Sequence, residues 1–258
     1  MKKICVDLLV HSTEQLSERH WLMRLRSSEA LPEMIPGQFV EVRIDDSPTT
    51  FLRRPISINM VDYANNEILL LVAAVGEGTR HLVKLKVGAT VNCLFPLGNG
   101  FTMPNSPRDS FLLVGGGVGT APLLFLGKRI VVMGSKPVFL LGARTSRELL
   151  EKNMFRELGD LYLTTEDGSE GEQGFVTSHS ILREKKFDGI ATCGPKPMMI
   201  AIARYAKEHD IACEVSLEND MACGLGACLC CVEETTEGNV CACKEGPVFN
   251  IKKLLWPL

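Results

Sequence analysis

Six of the chain's ten cysteines fall between residues 223 and 243. Cys223, Cys228 and Cys231 have the spacing C-x4-C-x2-C, and another cysteine follows after a short hairpin-like segment, at Cys241 or Cys243. Four thiolates at this spacing suit a 2Fe–2S cluster, which backbone amides around its sulfurs then tune. Gly224 and Gly226 lie inside the four-residue gap, where a residue without Cβ lets the loop wrap closely around inorganic sulfur. The competing reading is a structural zinc ion, but such sites favour paired C-x2-4-C knuckles. In an extended strand Cys241 and Cys243 would point to the same face, so periodicity does not choose the fourth ligand. Cys230 adds a further thiol inside the set.

The rest of the composition narrows the setting. At 258 residues and 45% hydrophobic, the chain can build two or three modest cores. A net charge of −3 argues against a nucleic-acid surface. Asp7 interrupts the apolar run after Lys2 and Lys3, so the N-terminus does not read as a signal peptide. No stretch approaches the roughly 18 apolar residues of a membrane span. Ten cysteines without an export signal point to a reducing compartment, and the expectation is a cytoplasmic protein.

Three segments follow one another. Residues 1–103 carry short apolar runs, VDLLV, FVEVRI, PISINMV, EILLLVAAV and TVNCLF, punctuated by Pro36-Gly37 and Pro96-Leu97-Gly98; they predict an antiparallel β-barrel. PNSPRD at 104–109 reads as a linker. Over 108–215 strand and helix alternate, predicting a parallel α/β domain: FLLV, a helix opening at Pro122, VFLLGAR, a helix over SRELLEKNMFREL, LYLTT, DGIATC, a helix over PMMIAIARYAKEH, and IACEVS. Residues 216–258 form the small cysteine-rich module.

Four motifs carry chemistry. In Arg54-Pro55-Ile56-Ser57 a guanidinium sits near a hydroxyl, which suits an anionic ligand; alone, it also suits a surface arginine beside an edge-strand proline. Val75-Gly76-Glu77-Gly78-Thr79 can offer amides and a hydroxyl to a phosphate, or be an ordinary turn. The run Gly115, Gly116, Gly117, Val118, Gly119, Thr120 links a buried strand to a helix, the setting in which a glycine loop cradles pyrophosphate, although it departs from G-x-G-x-x-G. Cys193-Gly194-Pro195 ends a later strand, where Cys193 and Gly194 would face a bound nicotinamide; an isolated cysteine is otherwise a core residue.

The order RPIS, GEGT, GGGVGTAP, CGPKPM resembles the ferredoxin–NADP reductase superfamily, and SLENDMACGLGACLCCV with CKEGPVF is similar to the electron-transfer subunits of type B dihydroorotate dehydrogenases. The resemblance spans essentially the whole chain. It implies a multidomain fold: an FAD-binding barrel, an NAD-binding α/β domain and a 2Fe–2S module. FAD contacts then carry over to Arg54, Pro55, Ile56 and Ser57, to Leu71, Val72 and Ala73, and to Gly78 and Thr79. The nucleotide loops carry over as Gly115, Gly116, Gly117, Gly119, Thr120 and Gly194. The cluster ligands become Cys223, Cys228, Cys231 and Cys243, the last selected by the family's Cys-basic-acidic-Gly-Pro-Val-Phe tail. Three positions depart from the family: Cys230 replaces a usual glycine, Cys241 adds a sixth thiol, and Ala73 replaces a basic or polar side chain.

The implied role is an oxidoreductase subunit of pyrimidine (UMP) biosynthesis. Electrons from dihydroorotate oxidation would pass through cluster and FAD to NAD. A barrel for dihydroorotate oxidation would need about 250 more residues, so the expected partner is a separate flavin-containing β/α-barrel catalytic subunit in a hetero-oligomer. The alternative is the same type of subunit serving a sulfide dehydrogenase, hydrogenase or ferredoxin:NAD(P) reductase. After the third α/β strand, Glu166, Asp167 and Glu170 stand where the adenosine ribose is expected; they disfavour a 2′-phosphate unless Arg144 reaches it.

Overall fold

The computed structural model describes residues 2–258. Six strands close an antiparallel barrel in the order β1-β2-β5-β4-β3-β6. They are β1 (Ile4–Gln15), β2 (His20–Arg26), β3 (Phe39–Val42), β4 (Arg54–Asp62), β5 (Glu67–Ala73) and β6 (Thr90–Leu97). One strand more than the apolar runs suggested is present. HWLMRLR forms β2 because its ladder with β5 pairs Trp21 with Val72 and Leu22 with Leu71, which no local pattern announces. Leu8, Met23, Leu25, Ile58, Ile68, Leu70 and Phe95 fill the barrel. Helix α1 (Glu77–Leu82) follows β5 directly, so GEGT is its first turn.

The second body is a seven-stranded sheet in the order β10-β9-β8-β7-β11-β12-β15. Its parallel part comprises β7 (Phe111–Gly116), β8 (Val138–Ala143), β9 (Asp160–Thr165), β10 (Glu172–Gln173), β11 (Gly189–Cys193) and β12 (Ala212–Ser216). Helices α2 (Ala121–Val132), α3 (Lys152–Leu158), α4 (Ile181–Glu184) and α5 (Lys196–Glu208) connect them. No described helix is long and apolar enough to cross a membrane. Phe125 of α2 reaches into the barrel's apolar cluster and joins the two bodies.

Two local expectations are corrected. The stretch SRELLEKNMFREL is not one helix: a 3-10 turn at Ser146–Glu148 is separated from α3 by Leu149–Glu151, with Glu151 left-handed at φ 52°. Leu149 and Leu150 are buried there, so tertiary packing overrides local propensity. Cys241 and Cys243 do not share a strand. β13 (Val232–Thr235) and β14 (Gly238–Cys241) form a hairpin, and the chain then turns helical at α6 (Ala242–Glu245). The last strand, β15 (Val248–Asn250), pairs antiparallel with β12 and builds the cysteine-rich segment into the central sheet.

Candidate functional site

The sheet reverses its order between β7 and β11, since β8 and β9 extend it one way and β12 the other. Ligands of open α/β sheets sit at this switch point, outside the carboxyl ends of the strands. Here Gly115 pairs with Cys193 across the ladder, so the glycine loop and the Cys-Gly-Pro loop face each other. They touch closely: a Cβ on Gly119 would lie 2.5 Å from the Gly194 Cα. A Cβ on Gly115 or Gly116 would likewise meet Thr120 or Met198 at 2.8 Å, whereas a Cβ on Gly117 would meet nothing within 4 Å. Thr120 donates its hydroxyl to the Gly117 carbonyl at 3.0 Å and so holds the loop's own shape.

Cys193 is placed differently from the expectation. Its side chain is buried in the apolar cluster with Leu113, Leu123 and Ala191. Burial pushes the thiol well above its ordinary range, so it is an inert core group rather than one presented to a ligand.

Between barrel and sheet lies a cavity of about 240 Å³. One wall is Pro55, Ile56 and Ser57 with Leu71, Val72, Ala73 and Thr79; Val118 and Ala121 of the glycine loop and α2 close another side. The remaining wall is Leu217, Glu218, Asn219, Met221 and Pro247, contributed by the cysteine-rich segment. Sequence reading missed these five residues, which become neighbours of RPIS only through the β12–β15 pairing. The mostly apolar walls with a few polar groups suit a planar cofactor. Arg54 stands at the barrel end, where its Nε would lie 3.2 Å from a Cβ on Gly78. Its guanidinium donates to the Leu52 and Arg53 carbonyls, each at 3.2 Å. The Thr79 hydroxyl accepts from the Gly76 amide at 3.1 Å and caps α1.

Nearby, the thiols meet backbone donors. The amides of Leu225, Gly226 and Cys243 donate to the sulfurs of Cys223, Cys243 and Cys231 at 3.4, 3.1 and 3.3 Å. Gly224 at φ +66° holds the loop against the barrel, where a Cβ would meet Glu41 and Leu97 at 2.8 Å. Burial works against the Cys223 thiolate, but the amides of Leu225, Cys228 and Ala227 outweigh it and bring it down to about 6. Burial drives the Cys243 thiol up to about 12, with the Cys231 thiol adding to it and the Gly226 amide opposing it.

The Cys223 thiol interacts with Cys228, and the Cys231 thiol with Cys243. Among the described residues no three or more metal-ligating side chains gather around a single point. Backbone amides that donate to three of these sulfurs suit an iron–sulfur cluster, which such donors tune. Cys243 is fully buried, whereas Cys241 is half-buried and directs its thiol to the Gly226 carbonyl at 3.8 Å. Cys241 also interacts with Cys231, and Cys230 is exposed.

The buried residue beside this loop, Glu41 of β3, carried no sequence signal. Both its carboxylate oxygens lack a donor, and burial raises its carboxyl to about 7, with Arg53 opposing. Around the expected ribose position the loops after β8 and β9 are linked, the Asp167 amide donating to the Arg144 carbonyl at 3.2 Å. Glu170 is already neutralised by Lys152 at 2.6 Å and Arg156 at 3.6 Å, leaving Glu166 and Asp167 exposed beside Arg144.

A family profile describing the iron-sulfur cluster binding domain of dihydroorotate dehydrogenase B matches residues 218–255. Over its length the chain is similar to the protein named dihydroorotate dehydrogenase B (NAD(+)), electron transfer subunit, of Bacillus velezensis: they are 38% identical over 260 residues, 98% of this chain and 99% of that one. The protein of the same name from Fusobacterium nucleatum is 35% identical, covering 94% and 95%. Among solved structures, an NADH-dependent reduced ferredoxin-NADP oxidoreductase studied for flavin-based electron bifurcation superposes with a TM-score of 0.87 at 29% identity, over 96% of this chain and 90% of that one. The ferredoxin reductase of carbazole 1,9a-dioxygenase shares the fold at a TM-score of 0.69 and 19% identity, over 82% and 67%.

Proposed function

The chain belongs to the family of electron transfer subunits of NAD(+)-dependent dihydroorotate dehydrogenase B, and from that premise we propose how its residues divide the work. It passes electrons between a dihydroorotate-oxidising catalytic subunit and NAD, using a 2Fe–2S cluster and FAD, in pyrimidine biosynthesis. When bound, the flavin exchanges either hydride with nicotinamide or single electrons with the cluster, which is why both groups are needed.

The observation that carries the reading is the shared wall of the cavity. Pro55 to Ser57 and Leu71 to Ala73 share it with Leu217, Glu218, Asn219, Met221 and Pro247, and Cys223 follows Met221 by two residues. A cofactor held by the barrel motifs would therefore lie against the cluster segment. In this proposal the apolar walls orient the flavin and keep water from it. Arg54, beside Gly78 and Thr79, supplies the fixed positive charge for its phosphate end. Gly115, Gly116, Gly117, Gly119, Thr120 and Gly194 shape the switch-point crevice for the dinucleotide. Cys223, Cys228, Cys231 and Cys243 would hold the cluster, and the three amide donors would stabilise charge on sulfur.

The partner in this proposal is a flavin-containing β/α-barrel subunit. A reducing compartment, hence the cytoplasm, is part of the reading, since all ten cysteines are free. The test is reconstitution: the loaded chain and the catalytic subunit, mixed, should reduce NAD(+) with dihydroorotate, and neither should do so alone. Formation of a complex with no gain in NAD(+)-dependent turnover would overturn it.

A further inference from the structure

Two residues outside every cofactor motif meet across the seam between barrel and sheet. Glu151 precedes α3 at φ 52°, a left-handed conformation that is strained for a non-glycine residue. Its carboxyl turns toward the barrel, where the Asn59 Nδ2 of β4 donates to Oε1 at 2.8 Å. Asn59 is completely buried. Yet Glu151 Oε2 and Asn59 Oδ1 are both buried without any donor. Two orphaned acceptors on one bonded pair are a costly arrangement. Turning the amide over does not relieve it, because Nδ2 would then leave Oε1. One proton would relieve both: with an O–H on Oε2 directed to Oδ1 and the amide still donating to Oε1, the pair would close a ring of two hydrogen bonds.

We propose that Glu151 is held as a neutral carboxylic acid and forms with Asn59 an acid–amide clasp that positions the nucleotide body against the flavin cavity. The clasp sits directly behind that cavity. Leu150 packs with Leu71 and Ala121, and both of those line it, so displacing residue 151 displaces the wall. The surroundings favour the neutral form. Burial is the main influence, the Asn59 donor opposes it, Glu14 of β1 adds to it, and Arg24 of β2 opposes it, leaving the carboxyl at about 7. Arg24 is also engaged with Glu67 at 3.7 Å. Glu151 is a positioning residue; it touches neither nucleotide loop nor thiol.

The positioning role rests on the flavin reading of the cavity, whereas the clasp does not, and the test separates them. Glu151→Gln preserves the ring, an amide N–H replacing the acid O–H, but cannot ionise. In wild type the unfolded carboxyl ionises near its ordinary 4.5 and the folded one near 7. Stability is therefore complete at low pH and drains as pH rises through that window. Wild type should lose about 5 °C or more of Tm relative to E151Q across the window and level off above it. An infrared difference between the two at neutral pH should contain a protonated-carboxyl carbonyl band. On the FAD-loaded protein, flavin reduction by NADH should slow about threefold or more above pH 7 in wild type and stay flat in E151Q. Parallel Tm curves, or no such band, overturn the clasp. A band with identical kinetic pH profiles overturns the positioning role.

Discussion

The Gly226 amide donates to the Cys243 sulfur at 3.1 Å, tying the tip of the cysteine loop to the fully buried Cys243. Cys241 lies two residues earlier, at the half-exposed end of β14. We expect Cys243→Ser to strip the 2Fe–2S cluster and Cys241→Ser to leave it in place, read by visible absorption and iron content. The reverse outcome would sink the ligand set. Each variant is best repeated with Cys230→Ser, since that exposed thiol can stand in for a lost neighbour.

Arg54 stands against Gly78 and directly precedes the cavity-lining Pro55. Removing a charge-assisted contact of this kind costs about 1.5–3 kcal/mol, so Arg54→Ala should purify flavin-poor, with FAD affinity one to two decades weaker. Equilibrium titration of the apoprotein measures this. An unchanged affinity would make Arg54 a surface residue.

Nucleotide choice rests on fewer charges than the acidic run suggested, because Lys152 and Arg156 neutralise Glu170. Glu166 and Asp167 remain, and they disfavour a 2′-phosphate without a paired base. NADH should reduce the flavin with a kcat/KM about tenfold or more above that of NADPH, and Glu166→Gln combined with Asp167→Asn should narrow the gap. Stopped-flow reduction with each nucleotide gives the ratio. Equal values in wild type would mean that Arg144 binds the phosphate.

Phe155 is the buried anchor of the seven-residue α3, edge-on to Phe139 with ring centroids 4.9 Å apart. A helix this short owes its existence to docking rather than propensity. Phe155→Ala should cost about 3–5 kcal/mol, seen as a lower denaturant midpoint. It should also loosen Glu151 one turn earlier, so its loss should flatten the pH dependence of Tm that distinguishes wild type from E151Q. A change below about 1 kcal/mol would mean that the site refills easily.

Local patterns made several features legible. Apolar runs of strand length bounded by Pro and Gly announced most of the barrel, and strand–helix alternation announced the parallel sheet. The cysteine spacing with its two glycines announced a cluster loop. Each is a short-range regularity, imposed by the backbone periods and by the few residues that tolerate special conformations.

What the residues alone left open depended on contacts between distant parts of the chain. β2 exists through its ladder with β5, some fifty residues later. Residues 146–158 break at Glu151 because Asn59 and the buried Leu150 outweigh the helical preference of the segment. Cys193 faces the core rather than the crevice, as the packing of α2 on the sheet leaves it no opening. Cys241 and Cys243 separate because the chain turns helical between them under the Gly226 amide. The flavin cavity gains its second wall only when β15 joins β12 and brings Leu217 and Pro247 opposite Pro55. Periodicity sets what a segment can be, but burial and hydrogen-bond partners are supplied by remote segments, and their free energies exceed the local preferences they overrule.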